Sequence, residues 1–187
     1  AHHEPQLTGN AGEIIARNEY AICIATIDGA VWIGHMKDKH ASHPFKLPTS
    51  RVLTEELAQI SDLPILDYES SSACQPIQYA AIDDVGYLKF NFYNGAMSTE
   101  QCNRLREALI TARQQPTKII VLLGGDDFWS NGMHLNSIEA ADSAADESWE
   151  NINAMNDLAL EIINTDQQWV ISALQGNAGA GGVFLAR

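Results

Sequence analysis

The sequence predicts an α/β protein in which a small antiparallel β domain precedes an α/β domain with a largely parallel sheet. Three observations support this fold class. The 187 residues, 45% hydrophobic and 19% charged, are enough for one or two globular domains with a sizeable core. Short β-prone runs crowd residues 12–36. From residue 77 onward, β-prone runs alternate with stretches of helical spacing.

The antiparallel domain is predicted over residues 1–60. Asp28 and Gly29 separate two of its β-prone runs. An Asp-Gly pair in that setting is a strong hairpin signal, because both residues tolerate positive φ. We therefore expect a small meander, built from the runs at residues 13–16, 20–27 and 31–33.

The remainder of this first part is predicted to be less regular. Residues 37–50 are polar and contain proline, and residues 51–60 suit a short helix. Residues 61–76 contain two prolines and a run of three serines, which is typical of a linker. The linker separates the first domain from an α/β domain over residues 77–187.

The α/β domain opens with a predicted hairpin and a helix. Two β-prone runs, residues 77–82 and 86–93, flank the turn residues Asp83 and Asp84. A capping box then marks a helix start, because the hydroxyl of a serine and the side chain of a glutamine three residues later can each satisfy a backbone N–H. The box consists of Ser98 and Gln101. The apolar face of the helix that follows consists of Leu105, Leu109 and Ala112.

Two further strands and a second helix complete the predicted domain. The apolar runs at residues 118–123 and 169–174 are typical of buried strands. Since helices separate the strands, right-handed crossovers and a largely parallel sheet are expected. Between them lies a helical stripe that we expect in the core, formed by Trp149, Ile152, Met155, Ala159 and Ile162.

Charge and hydropathy exclude several functions. The formal net charge is −13, and no Lys or Arg occurs from Ile119 to Ala186. Such a surface repels phosphate, so the sequence argues against nucleic acid or an anionic membrane as a partner. No apolar run approaches the roughly 18–20 residues that span a bilayer.

The spacing of the cysteines and histidines does not predict a metal site. The cysteines, Cys23, Cys74 and Cys102, are odd in number and far apart, which argues against a disulfide framework and favours a reducing cytoplasm. We expect them to be small buried hydrophobes. Three histidines lie within nine residues, but their spacings of five and three fit no standard zinc pattern. They are His35, His40 and His43.

Each predicted parallel strand runs into a glycine-rich loop, at residues 124–135 and 176–183. In open α/β sheets ligands bind at the carboxyl ends of strands, where such loops lie. Glycines let backbone N–H groups approach a ligand closely, and the second loop opens a helix, whose first amides carry positive dipole charge. Two amides aimed at one oxygen make an oxyanion hole.

These loops resemble those of the crotonase superfamily, the relatives of enoyl-CoA hydratase and isomerase. That family carries F-x-A-G-x-D-L in its first loop and N-G-x-A-x-G-G-G in its second, and residues 129–135 and 175–182 occupy these places. The resemblance implies coenzyme A thioesters as substrates. It implies that the amides of Met133 and Gly181 form the oxyanion hole. It also implies a part in cofactor binding for Asn131, Gly132, Gly179 and Gly182.

The departures from the family pattern concern acid–base chemistry. The acidic position of the first loop is His134 here, and one hydratase glutamate falls on Phe184. Ordinary hydration of crotonyl-CoA is therefore not expected. For His134 the sequence leaves two interpretations open, a loop hydrogen bond or contact with a substrate.

A narrower resemblance covers nearly the whole chain. Residues 127–157 are similar to a family of hydrogenase-maturation proteins that join a formyltransferase-like front half to a crotonase-like rear half. Residues 21–36 resemble the small β domain that ends this front half, the C-terminal domain of formyltransferases. The resemblance implies that a formyl group passes from a folate carrier to coenzyme A, and that formyl-CoA then loses carbon monoxide. The folate site would lie in a domain absent from this chain.

Two other functions remain open: a generic acyl-CoA enzyme of the hydratase and isomerase family, and a non-catalytic fragment for scaffolding or assembly. The first is weakened by Phe184. The second is favoured for the chain by itself, because the predicted sheet and helix layer are cut short. The chain also begins without Met and stops at Arg187 just after a glycine-rich turn. We therefore expect a piece of a longer cytoplasmic protein, with a truncated crotonase-like domain and other hydrogenase-maturation proteins as partners.

Overall fold

The computed structural model describes residues 2–18, 20–42, 44–60 and 76–186. The chain forms two compact units, residues 1–75 and 76–187. The linker predicted at 61–76 lies, except for Pro76, outside the described residues.

The first unit contains an antiparallel four-stranded sheet in the order β1-β4-β3-β2. Cys23 and Trp32 are buried on one face with three alanines, and Ile22 packs with Leu57 on the other. A short hairpin, β5 with β6, and two single-turn helices follow. The elements are β1 His2–Glu4, β2 Ile14–Arg17, β3 Ile22–Ala25, β4 Ala30–Ile33, β5 His35–Lys37, β6 Lys46–Pro48, α1 Thr49–Val52 and α2 Thr54–Ala58.

The hairpin predicted around Asp28 and Gly29 is confirmed, but its turn is longer than the pattern indicated. Ala25 pairs with Ala30, and Thr26 N–H donates to Gly29 O at 2.8 Å. The turn therefore includes the residue Ile27, which was predicted to be in the strand and is 96% exposed. The hairpin β5–β6, which encloses much of the polar stretch, was missed because three-residue strands are too short to show alternation.

The second unit is a mixed α/β layer structure. Its four-stranded sheet has the order β13-β10-β8-β7, in which β8, β10 and β13 are parallel and β7 is antiparallel. Helices α3 and α5 pack against each other, and α3 packs on the sheet. The elements are β7 Ile77–Ile82, β8 Val85–Phe90, β9 Ala96–Met97, α3 Thr99–Arg113, β10 Ile119–Leu123, β11 Phe128–Ser130, β12 Gly132–Met133, α4 Leu135–Glu139, α5 Ala144–Ile163, β13 Trp169–Ala173, β14 Asn177–Ala178 and α6 Gly181–Leu185.

The core of this unit lies between the sheet and the two long helices. From the sheet it takes alternate residues of β8 and β10, because successive side chains of a strand point to opposite faces. From α3 it takes the predicted apolar face. The buried members include Leu88, Phe90, Leu105, Leu109, Ile120, Leu122, Trp129 and Leu158.

Two burial predictions were wrong. Trp149 is 70% exposed and Ile152 37% exposed. The face of α5 that packs inward is shifted around the helix and consists of Asn151, Ala154, Met155 and Leu158. Strand β13 is not fully buried either, and its Trp169 is 78% exposed. The strand lies at an edge of the sheet, and only its inner face meets the core within the described residues.

The predicted capping box at the start of α3 is confirmed and gives a first testable consequence. Ser98 Oγ accepts from Gln101 N–H at 3.3 Å, and Gln101 Oε1 accepts from Ser98 N–H at 3.0 Å. We expect Ser98→Ala to lower the free energy of unfolding of this unit by about 1 kcal/mol. Urea denaturation measures this, and an unchanged midpoint would show that the cap contributes nothing.

Candidate functional site

The two glycine-rich loops contain short strands that fix their path. Strand β11 of the first loop pairs in parallel with β14 of the second. Strand β12 of the first loop pairs in parallel with β9, which precedes helix α3. One two-stranded sheet therefore connects the two loops, and a second connects the first loop to residues 96 and 97. Sequence reasoning missed this pairing, because strands of two or three residues are too short to show periodicity.

Glycines occur where the two loops touch backbone to backbone. A Cβ atom added at Gly182 would lie 2.2 Å from Ser130 O, and one at Gly176 would lie 2.8 Å from Asp127 O. One at Gly179 would lie 2.9 Å from the side-chain oxygen of Asn131. These glycines are thus needed for close packing of one loop on the other.

Near the two candidate amide donors, the backbone of the first loop lies close to that of the second, at Gly132 and Gly181. Gly132 has a φ of 78°, and a Cβ atom there would lie 2.9 Å from Gly181 N. Met133 directly follows Gly132, so the structure brings the two predicted amide donors onto neighbouring stretches of backbone. Gly181 is the first residue of α6, where an N–H group has no acceptor within its own helix.

Neighbouring polar side chains hold this backbone in place. Ser130 Oγ is buried and accepts from Gly132 N–H at 3.1 Å, and Ser130 O accepts from Gly179 N–H at 2.9 Å. Asn131 Nδ2 donates to Asn94 O at 2.7 Å. These contacts give Ser130 and Asn131 structural roles at the junction of the loops.

His134 is 4% exposed and caps helix α4. Its Nδ1 accepts from Ser137 N–H at 3.1 Å, so this nitrogen carries no proton. The ring therefore makes a loop hydrogen bond through Nδ1, and its contact with a substrate stays a prediction. Phe184 lies on α6 with 75% of its surface exposed, and its ring has no proton to exchange.

A cleft of about 220 Å³ opens beside the first loop. Met133 belongs to its lining, together with residues of the turn before β9 and the start of α4. No charged carboxylate or ammonium group contributes to this lining among the described residues. The lining residues are Tyr93, Asn94, Ala96, Asn131, Met133, His134, Leu135 and Asn136.

Asn151 is a site residue that sequence reasoning missed. It lies on α5, is 0% exposed, and donates from Nδ2 to Met97 O at 3.0 Å. Its Oδ1 accepts from His134 N–H at 3.2 Å. In sequence it is one of several polar residues in an amphipathic helix, and no local signal separates it from the exposed ones.

The cysteines have no catalytic environment where they are described. Cys23 and Cys102 are both buried. Burial raises the pKa of the Cys102 thiol to about 12, so it stays protonated at neutral pH. Cys74 and His43 lie outside the described residues.

Among the described residues, no three His, Cys, Asp or Glu side chains lie close enough together to hold a metal ion. Helices long and apolar enough to cross a membrane are likewise absent from the described part.

Ala180 has a strained backbone, with φ 45° and ψ −126°. The crotonase motif has glycine at this place. Since such a conformation costs a residue with a Cβ atom about 1–3 kcal/mol, we expect Ala180→Gly to raise the free energy of unfolding by about 1 kcal/mol. Chemical denaturation of both proteins measures the change. A lower midpoint in the glycine variant would contradict this account of the strain.

Comparison with known proteins supports the resemblance. A model of the enoyl-CoA hydratase/isomerase family matches residues 56–187. The hydrogenase maturation factor HoxX of Bradyrhizobium diazoefficiens is 49% identical over 186 residues, which cover 100% of this chain and 32% of that protein. The prediction of similarity to a hydrogenase-maturation family is thereby confirmed.

Solved structures give the same result. The crystal structure of HypX from Aquifex aeolicus in complex with tetrahydrofolic acid is 48% identical with a TM-score of 0.90, over 99% of this chain and 33% of that one. An enoyl-CoA hydratase from Bacillus anthracis is 20% identical, with a TM-score of 0.54 over 60% of this chain and 44% of that one, which shows the fold alone. The chain spans about a third of the length of HoxX and HypX.

Proposed function

The chain belongs to the enoyl-CoA hydratase/isomerase family, and we propose that it supplies the thioester-binding site of an enzyme that makes the carbon monoxide ligand of NiFe hydrogenase. In this proposal a formyl group arrives on coenzyme A, and the amides of Met133 and Gly181 hold the oxygen of the formyl thioester. The similarity to HoxX and HypX supports the hydrogenase context. The folate carrier belongs to a part of the protein outside this chain.

The observation that carries the proposal is the backbone contact between Gly132 and Gly181. An oxyanion hole needs two N–H donors about 2.7–3.1 Å from one oxygen. That requires two backbone segments in near contact, and a Cβ atom at position 132 would prevent it. The glycine-rich second loop meets the same need by bringing Gly182 against Ser130 O.

The proposed reaction splits formyl-CoA into two products and needs no oxidant. The C–S bond of the formyl thioester breaks, the formyl C–H proton is lost to a base, and a proton is added to the thiolate sulfur. The products are carbon monoxide and the free thiol of coenzyme A. In this reaction the amide pair binds and orients the carbonyl, and Asn131, Gly132, Gly179 and Gly182 shape the backbone around it.

Hydration of an enoyl thioester is the alternative that the site disfavours. Adding water to crotonyl-CoA needs a group that gives and takes a proton, and Phe184 stands at the place of one hydratase glutamate. We expect no hydration above a buffer blank when the loss of the crotonyl double bond is followed by ultraviolet absorbance. Turnover well above the blank would refute this expectation.

Carbon monoxide release tests the proposed function itself. The intact protein is supplied with formyl-CoA, and the gas is trapped by reduced haemoglobin, whose visible spectrum changes on binding it. We expect release that depends on the protein and exceeds the spontaneous rate. If release equals the blank while the protein is folded, the chain is better explained as a non-catalytic assembly domain. Three further expectations stay predictions. Residues 1–60 resemble formyltransferase C-terminal domains, the protein contacts other hydrogenase-maturation proteins, and it lies in the cytoplasm.

A further inference from the structure

One face of helix α5 lies against both stretches of backbone that carry the candidate amide donors. Asn151 bonds to Met97 O and to His134 N–H, and His134 N–H also donates to Met97 O at 3.1 Å. These three groups form a closed set of hydrogen bonds at the end of strand β12. The side chain of Asn151 is entirely buried, so water does not compete for these bonds.

Met133 is adjacent to the residues that these hydrogen bonds join. It pairs with Met97 in the β9–β12 ladder and directly precedes His134. At its other side, Gly132 N–H is held by Ser130 Oγ. The direction of the Met133 amide is therefore determined by fixed neighbours before and after it, and Asn151 is the side chain that connects it to α5.

Met155 lies one helical turn after Asn151 and supports the second donor. A Cβ atom at Gly181 would lie 3.1 Å from Met155 Cε and 3.3 Å from its Sδ, so the end of this side chain packs on Gly181. Residues four apart lie on the same face of a helix. Both Asn151 and Met155 are buried there.

We propose that Asn151 and Met155 are positioning residues that set the relative placement of the Met133 and Gly181 amides. This inference rests on the proposed function, because it concerns the same oxyanion hole. Neither side chain touches the substrate. Asn151 determines the direction of one donor through hydrogen bonds, and Met155 limits how far the other can move toward α5.

The test is the infrared band of a ¹³C-labelled thioester carbonyl, measured with acetyl-CoA bound to the intact protein. A carbonyl that accepts two N–H bonds absorbs at lower wavenumber than the free thioester. We expect this shift in the wild type and in Asn156→Leu, an exposed position on the same helix. In Asn151→Leu we expect most of the shift to be lost and carbon monoxide release to slow about 10- to 100-fold, with binding of free coenzyme A unchanged within about twofold.

Met155→Leu keeps the inference testable if Asn151→Leu fails to fold. It conserves side-chain volume but removes the flexible end that contacts Gly181, and we expect a partial loss of the band shift. A wild-type protein without any shift would overturn the proposed function and this inference with it. A wild-type shift that persists unchanged in every folded variant, Met155→Leu included, would overturn only the positioning role.

Discussion

Gly182→Ala is expected to destabilise the second unit by about 3 kcal/mol or more. The added Cβ atom would lie 2.2 Å from Ser130 O and 2.6 Å from Ser130 C. Both are backbone atoms of strand β11, so relief requires moving one loop away from the other. Overpacking usually costs about 1–3 kcal/mol, and a backbone clash of this size belongs at or above the upper end.

Gly34→Ala is the matched control, because nothing lies within 4 Å of the Cβ atom it would add. Urea denaturation of the two variants and the wild type gives the comparison. We expect Gly34→Ala to change the free energy of unfolding by less than about 1 kcal/mol. A similarly small change in Gly182→Ala would show that the two loops are not in the close contact described.

Gly181→Pro is expected to lower carbon monoxide release about 100- to 1,000-fold, the usual cost of losing one oxyanion donor. Proline removes the amide hydrogen. The first helical position is also where a helix accepts proline best, because its N–H is not used within the helix. The variant therefore removes the donor at a helix position that tolerates proline.

Two control variants separate the effect of losing the amide donor from the effect of changing the side chain. Gly181→Ala keeps the N–H and adds a Cβ atom whose nearest neighbour is the flexible end of Met155, so we expect much smaller losses. Met133→Ala also keeps its N–H and should matter little. Circular dichroism checks that each variant is folded. If folded Gly181→Pro retains wild-type release, the glycines serve only for loop packing.

Features that depend on a few neighbouring residues could be predicted from the sequence. The Asp83 and Asp84 turn joins two paired strands as expected, and Asp83 has the positive φ of 52° that such a turn allows. The capping box of α3 is another case, since Ser98 and Gln101 complete it between themselves. The glycine loops were found because their spacing matches a known motif.

What depends on distant parts of the chain could not be predicted. Helix α5 is apolar on more than one side, and only its packing on α3 and α4 decides that Asn151 is buried while Trp149 is not. The position of β13 at the sheet edge likewise exposes Trp169. The role of Asn151 follows from bonds to residues 17 and 54 positions away, which no local pattern contains.

The central claim is that the Met133 and Gly181 amides share one thioester oxygen. The most direct measurement is a crystal structure of the intact protein with an unreactive acyl-CoA analogue, in which the distances from the carbonyl oxygen to Met133 N and Gly181 N are determined. We predict both at about 2.7–3.1 Å. A bound analogue whose carbonyl lies beyond hydrogen-bond distance of both nitrogens, with the thioester elsewhere on the protein, would contradict the account.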